Sequence, residues 1–473
     1  ISAFAGHSWL ISPDKLFEID LISKDDLKLI DRSKFNNSYV NFREIKRNKK
    51  QLLEKAYLNF KNNNSQASEI LNDFFQREKY WIDDYTLFMT IKEKHKNSTW
   101  SDWPVPLRRH EQTALQTIRE LEKDRIEYAN EFKIKIIGDI PMYIDYDSVD
   151  VWSNSHIFQL YHNDTMKSTV LAGFPPDDIS DTGQNWNMPI YDWNNEDVRK
   201  DLFDWWIKRL RRTLSTVDLL RFDHFRGLES HYVIPVDIDT QELNFSQAHW
   251  VKTPGYELLT AITETFGSDI PVIVEDLGNI TSEVVELRDR FHLFGVKILQ
   301  MGFYNDSENI YSPHNYIPNS VAYTGTHDYP TILQWWIEKA SEKEKHQFIE
   351  YIRRPIDGHK ELIDGLKLEK HVDKYICWYF IQVLLQSASN GTIIQMQDLL
   401  NIPTRMNKPG TASDVEHNGP QNWSWRFEWS QLTSDTRIRL KKLTQMYGRD
   451  LKYGKSIPSE DMAMKNDSRY DLQ

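Results

Sequence analysis

Residues 217–227 read Val-Asp-Leu-Leu-Arg-Phe-Asp-His-Phe-Arg-Gly. A largely apolar run, Val217–Leu220, gives way within six residues to Arg221, Asp223, His224 and Arg226, the pattern of a buried strand that delivers charge at its end. Arg221 and Asp223 are two residues apart, so on a strand they share a face. A guanidinium beside a carboxylate keeps the carboxylate ionised. Such a group can serve as a nucleophile, a metal ligand or one half of a structural ion pair, and the stretch alone leaves all three open.

Moving outward, the same texture recurs. From Ile134 the chain carries short β-branched runs that end in Asp, Glu or Gly and alternate with helical stretches, the βα alternation of a parallel sheet. Six runs are expected as strands: Ile134–Ile144, Val217–Asp223, Pro271–Asp276, Val296–Phe303, Ser320–Thr324 and Gly391–Met396. Gly-Asp-Ile-Pro-Met-Tyr closes the first, Glu-Asp-Leu-Gly the third, Gly-Thr-His-Asp the fifth and Gln-Asp-Leu-Leu the sixth. In parallel α/β barrels the C-terminal ends of strands build the active site, and acids that recur at one end of successive strands point to an enzyme.

Upstream, Lys24–Ser33, Val40–Lys61, Gln66–His95 and Pro106–Phe132 have helical patterns, so residues 1–132 read as a mostly helical subdomain and entry to the barrel. Residues 133–449 read as the catalytic barrel. Within it, residues 145–216 read as a groove-wall insertion whose segment 172–187, rich in Pro, Gly and polar residues, is expected to be an ordered loop. The polar tail 450–473 is expected to be mobile.

Composition narrows the function. The 473 residues carry 70 acidic against 58 basic side chains, a net charge of −12, with no basic stripe, which argues against a nucleic-acid partner. No run of about 18 apolar residues exists to span a membrane, and the N-terminus has neither the basic nor the apolar region of a signal peptide. A lone cysteine, Cys377, excludes an internal disulfide, suits a reducing, cytoplasmic setting and is expected in the core. The aromatic content, 13% with 16 Trp, would suit a carbohydrate groove, although most of the tryptophans are expected in the core.

Asp223, Glu275 and Asp328, at the ends of different strands, are what a retaining glycosidase mechanism needs: a nucleophile, an acid/base and a group that steadies the oxocarbenium-like state. Arg221 keeps Asp223 charged, whereas Glu275 follows the apolar Pro271–Val274, where desolvation would raise its pKa. Other chemistries lack support. Asp145-Tyr-Asp-Ser-Val-Asp150 begins like a calcium loop but has Asp150 where Gly and His156 where Glu would be required. Gly448 to Ser456 misses the spacing of a phosphate loop, and no serine-hydrolase or zincin motif occurs. No cofactor and no metal is expected.

With these residues in hand the sequence closely resembles the amylomaltases, or disproportionating enzymes, the 4-alpha-glucanotransferases of glycoside hydrolase family 77. The matching motifs, in order, are Ser2-Ala-Phe-Ala-Gly, Trp103-Pro-Val-Pro-Leu-Arg, Gly138-Asp-Ile-Pro-Met-Tyr, Asp147-Ser-Val-Asp-Val-Trp, Gly173-Phe-Pro-Pro-Asp, Thr182-Gly-Gln-Asn-Trp, Arg221-Phe-Asp-His-Phe-Arg-Gly, Glu275-Asp-Leu-Gly, Gly325-Thr-His-Asp and Arg405-Met-Asn-Lys-Pro-Gly-Thr. The resemblance implies a (β/α)8 barrel of the TIM type with helical insertions. It implies that Asp223 is the nucleophile, Glu275 the acid/base and Asp328 the transition-state stabiliser, that Arg221 and His327 contact the sugar at the cleavage site, and that Asp177, Gln184, Trp186 and Asn407 line the glucan groove. The partners it implies are alpha-1,4-glucans and maltooligosaccharides; it leaves the oligomeric state open.

Three departures from the family pattern stand out. Two barrel strands that the family places before Ser2-Ala-Phe-Ala-Gly are not in this sequence, which fits the six runs found here and predicts a native upstream stretch of roughly 50–70 residues or a defective fragment. Asp178-Ile179 replaces two aromatics that would stack an acceptor sugar, and Tyr329 follows Asp328 where the family usually has Asn. An alpha-glucan hydrolase on the same barrel and a catalytically silent glucan-binding protein are the competing readings.

Overall fold

The computed structural model describes residues 2–5, 11–28, 30, 38–63, 65–110, 135–161, 165–176, 183–237, 239–303, 307–353, 368–409 and 422–450. They fall into two compact units, the first Ile1–Arg32 with Arg43–Phe291 and the second Ser33–Phe42 with His292–Gln473. The strands in chain order are β1 (Ile137–Ile140), β2 (Val170–Phe174), β3 (Gln184–Pro189), β4 (Leu219–Phe222), β5 (Ser230–Pro235), β6 (His249–Lys252), β7 (Val272–Val274), β8 (Phe294–Ile298), β9 (Ser320–Tyr323) and β10 (Gly391–Ile393).

In the first unit β1, β4 and β7 run parallel, with Ile140 opposite Phe222 and Phe222 opposite Val274. Every residue of β4 is buried, as expected for a strand covered on both faces. One cover is the helix Glu196–Leu214. Asn195 caps it by accepting from the amide of Asp197, acids fill its first turn and Arg211 and Arg212 its last, each complementing the helix dipole. Its buried residues Leu202, Trp205, Trp206, Arg209, Leu210 and Leu214 follow the three-to-four spacing of a single face. Trp206 from that face stacks on Phe222 at 5.4 Å. Because strand side chains alternate, Phe222 toward the helix sends Arg221 and Asp223 to the other side. Truncating Trp206 to Ala would cost about 3–5 kcal/mol.

A second, antiparallel sheet of order β3-β2-β5-β6 lies in this unit, and here the sequence reading needs correcting. Residues 172–187, expected as a loop, supply most of β2 and β3, and β5 and β6 lie outside the six expected runs. β3 is an edge strand, alternately exposed, so the polar Gln-Asn-Trp-Asn of its sequence and Pro189 at its end fit an edge yet look like a loop in one dimension. Two glycines are required there. A Cβ on Gly173 would meet the carbonyl oxygen of Gln184 at 2.3 Å, and Gly183 turns between the strands at φ +76°. Ahead of the strands, helices Phe42–Asn63 and Ser65–Lys94 answer the helical patterns, whereas most of Pro106–Phe132 lies outside the described residues.

In the second unit β8, β9 and β10 are parallel, with Ile298 opposite Tyr323 and Tyr323 opposite Ile393. The strand expected at Val296–Phe303 stops at Ile298 and continues as a 3-10 turn, Leu299–Phe303. A short apolar run without alternation does not distinguish the two. Likewise Gly391–Met396 ends as a strand at Ile393, and Met396 opens a short helix. Asp398 at that helix is a tie within the fold: Thr324 Oγ1 donates to it at 2.6 Å and the amide of Ile332 at 2.7 Å, while burial pushes its carboxyl up to about 6. The core joins helix Leu368–Gln386 to Ile332–Glu338 through Trp335, Trp336 and Phe380, with Phe348 and Phe380 stacked at 4.0 Å. Cys377 is fully buried in it, as expected. Among the described residues no helix is long and apolar enough to cross a membrane. The tail from 451 lies outside them.

Candidate active site

In the first unit Asp223 and Glu275 follow directly on the neighbouring strands β4 and β7, and the strand ladder continues past both: the amide of Asp223 donates to Ile140 O at 2.9 Å and that of Glu275 to Phe222 O at 2.9 Å. Sequence adjacency to a buried ladder thus fixes where both carboxylates emerge. Arg221 Nη2 pairs with Asp223 Oδ1 at 2.7 Å, and its Nη1 reaches Asp139 Oδ1 at 2.7 Å. The guanidinium is buried, which opposes its charge, but Asp223, Asp139 and Glu275 outweigh that and hold its pKa above the ordinary arginine value.

Glu275 is set differently. Its Oε2 accepts from the amide of His224 at 2.9 Å and its Oε1 from the amide of Leu277 at 2.8 Å. Burial and then the negative charge of Asp223 push its pKa from 4.5 up to about 7, against the pull of Arg221 and the two amides. The pair therefore offers one carboxylate with a cation on it and one carboxyl that holds a proton near neutral pH, the division of labour that acid/base chemistry requires.

In the second unit Asp328 follows β9 at the end of Gly325-Thr-His-Asp. Asn407 Nδ2 donates to its Oδ1 at 2.6 Å, and His327 Nε2 lies 3.1 Å from its Oδ2. Arg405 holds the segment from beneath, with Nη2 on the carbonyl of Asp328 and Nε on that of Asn407 at 2.6 Å. Trp423, 52% exposed, lies against the His327 ring at 4.9 Å. Tyr329, the departure noted in the sequence, turns its hydroxyl to Met301 Sδ at 3.6 Å.

Of the remaining sequence candidates, Gln184 and Trp186 sit together on β3, where Trp186 Nε1 donates to Gln184 Oε1 at 3.0 Å. Asp177, Asp178 and Ile179 lie outside the described residues. Arg221, Asp223 and Glu275 are gathered in the first unit, and His327, Asp328 and Asn407 in the second. Sequence reasoning passed over Asp139, which shares Arg221, and Arg405, which supports Asp328, although both stand inside motifs already singled out. An acid closing the first strand run, next to the run that carries Arg221, was the available signal for Asp139.

A profile of the 4-alpha-glucanotransferase family matches residues 1–433. The chain belongs to that family. The 4-alpha-glucanotransferase of Clostridium butyricum is 37% identical over 470 residues, covering 95% of this chain and 89% of that protein, and the one of Aquifex aeolicus is 36% identical over 470 residues, covering 95% and 87%. Among solved structures, the amylomaltase from Streptococcus agalactiae in complex with acarbose matches with a TM-score of 0.80 at 33% identity, covering 94% of this chain and 88% of that one.

Proposed function

We propose that this member of the 4-alpha-glucanotransferase family transfers alpha-1,4-glucan segments between maltodextrins by a retaining double displacement. Asp223 attacks the anomeric carbon, the glycosidic C–O bond breaks, and the departing 4-oxygen takes the proton of Glu275, leaving a glycosyl ester on Asp223. Glu275, now a carboxylate, deprotonates the 4-hydroxyl of an acceptor glucan; that oxygen attacks the anomeric carbon and releases Asp223. Two inversions give net retention. In this reading Asp328 steadies the oxocarbenium-like state, Arg221 and His327 contact the sugar, and Asp177, Gln184, Trp186 and Asn407 line the glucan groove.

The observation that carries the reading is the pairing at the ends of β4 and β7: Asp223 with Arg221 on it, beside Glu275 whose pKa is pushed up to about 7. Adjacent strands lie about 4.8 Å apart, the scale of the about 5–5.5 Å that separates the carboxyls of a retaining pair. The acarbose in the complex of the Streptococcus agalactiae amylomaltase fits a glucan as ligand. A (β/α)8 barrel is the finer fold reading, supported by parallel strands with acids at their C-terminal ends. A role in starch, glycogen or maltodextrin metabolism and a cytoplasmic setting belong to the same reading, the latter supported by the buried, lone Cys377.

Incubation with maltotriose tests the proposal. Transfer yields glucose and a ladder of longer maltodextrins, which Asp223→Asn abolishes. Glucose and maltose alone would instead establish a hydrolase, and no product from the wild type, with Asp223→Asn indistinguishable from it, would leave a glucan-binding protein without catalysis.

A further inference from the structure

His224 follows the proposed nucleophile directly and adopts the left-handed backbone conformation, φ 51° and ψ 50°, which residues with a side chain occupy uncommonly, Asn, Asp and His more often than the rest. The turn has a definite consequence. Two successive amides point at one residue: His224 N–H donates to Glu275 Oε2 at 2.9 Å, and Phe225 N–H donates to Glu275 O at 3.0 Å. The backbone at 224 and 225 thereby grips Glu275 at both its side chain and its main chain.

The imidazole is held from three sides by rings. Trp186 meets it edge-on at 4.8 Å, Phe174 edge-on at 5.8 Å, and Tyr143 lies tilted at 6.2 Å. Gly227 leaves room for it, since a Cβ there would come within 3.1 Å of His224 Cδ2. Its Nε2 is buried without a hydrogen-bond partner. Burial, followed by the charge of Arg226, pushes its pKa down to about 3, so the ring is neutral at working pH. A neutral ring with a buried, unpaired nitrogen is poorly placed to shuttle protons; it fills a cage.

We propose that His224 is a positioning residue for Glu275: its caged ring holds residue 224 in the left-handed turn that aims two consecutive amides at the acid/base. This assigns the antiparallel sheet a second part in the reaction, because Phe174 of β2 and Trp186 of β3 form two walls of the cage. The inference rests on the proposed role of Glu275. The charged groups facing Glu275 are Asp223 and Arg221, the latter shared with Asp139, and Arg226 stands beside His224; none of them is altered in the test.

The test compares His224→Asn, His224→Gly, His224→Ala and His224→Val. Asn and Gly accept the left-handed turn, Ala less well, and a β-branched Val least. The expected result is transfer from maltotriose falling in that order, with Val at least about 10-fold below Asn, and a much smaller spread with alpha-maltosyl fluoride, whose leaving group needs little protonation. Infrared difference titration of Glu275, with Glu275→Gln as the blank, should show its pKa moving up in the Val and Ala variants and staying near the wild-type value in Asn and Gly. Equal losses in Asn, Gly and Val would assign the effect to the imidazole and overturn the inference, as would wild-type transfer and titration in Val. Should Val not fold, the Ala and Gly pair decides by the same criteria. A titration that follows the expected order in a protein without transfer activity would preserve the positioning role and defeat the proposed function instead.

Discussion

Glu275 in the first unit and Asp328 in the second both stand just past a buried strand, yet they are held by different means. Glu275 is gripped by main-chain amides, those of His224 and Leu277, and its pKa is pushed up to about 7 by burial and by Asp223. Asp328, whose side chain is 36% exposed, is held by side chains: the ring of the adjacent His327 and, from further along the chain, the Asn407 amide and, on its carbonyl, Arg405. In the proposed mechanism the group that holds and releases a proton is thus tied to main-chain amides. The group proposed to meet developing charge is tied to side chains, which can be replaced one at a time. The first unit should therefore respond to substitution all or none, and the second in steps.

The largest effect belongs to the first unit. Asp223→Asn replaces the carboxylate proposed as nucleophile with a neutral amide, and kcat for maltotriose disproportionation should fall on the order of 10⁴-fold or more. Glu275→Gln comes next, with a loss of about 10²- to 10⁴-fold on maltotriose that largely disappears in the first step with alpha-maltosyl fluoride. Equal losses on both donors would mean that Glu275 is not the acid. In the second unit Asn407→Ala removes one charge-assisted bond of 2.6 Å to Asp328, worth about 1.5–3 kcal/mol. That predicts a fall of about 10- to 100-fold in kcat/KM, which Asn407→Gln should only partly recover.

The smallest effect is a shift in pH dependence. In the proposed mechanism Glu275 carries its proton for the first step, and its pKa is raised from 4.5 to about 7, so kcat/KM should decline as pH rises through about 7. By the same sign, the proton bound to folded Glu275 contributes stability that is present below about pH 4.5 and lost as pH climbs through 7. Removing the neighbouring charge reverses one cause: in Asp223→Asn the Glu275 carboxyl should titrate lower than in the wild type, read by infrared difference spectroscopy. A shift upward would contradict the assigned coupling.

Much of this arrangement is legible in one dimension. Val217–Leu220 is a largely apolar run that ends in charge and Val272–Val274 an apolar one that does the same, and the ladder between their strands places Asp223 and Glu275 side by side. The edge strand Gln184–Pro189 is not legible, because an edge needs no apolar face and its composition matches that of a loop. Nor is the end of β8 at Ile298, since the apolar residues beyond it are buried equally well as a 3-10 turn. The left-handed turn at His224 is the hardest to read: histidine takes positive φ more often than most residues but not often enough to mark one position, and the rings of Tyr143, Phe174 and Trp186 that pack around it are distant in sequence.

The central claim is a glycosyl ester on Asp223, and trapping it is the most direct test. Glu275→Gln treated with alpha-maltosyl fluoride should form the ester quickly and deglycosylate slowly, because no base remains to activate the acceptor. Mass spectrometry of the digested protein should then find the peptide containing Asp223 heavier by the transferred glycosyl unit, with fragmentation assigning the added mass to that carboxylate. Fluoride release without any adduct, or an adduct on a different residue, would contradict the account.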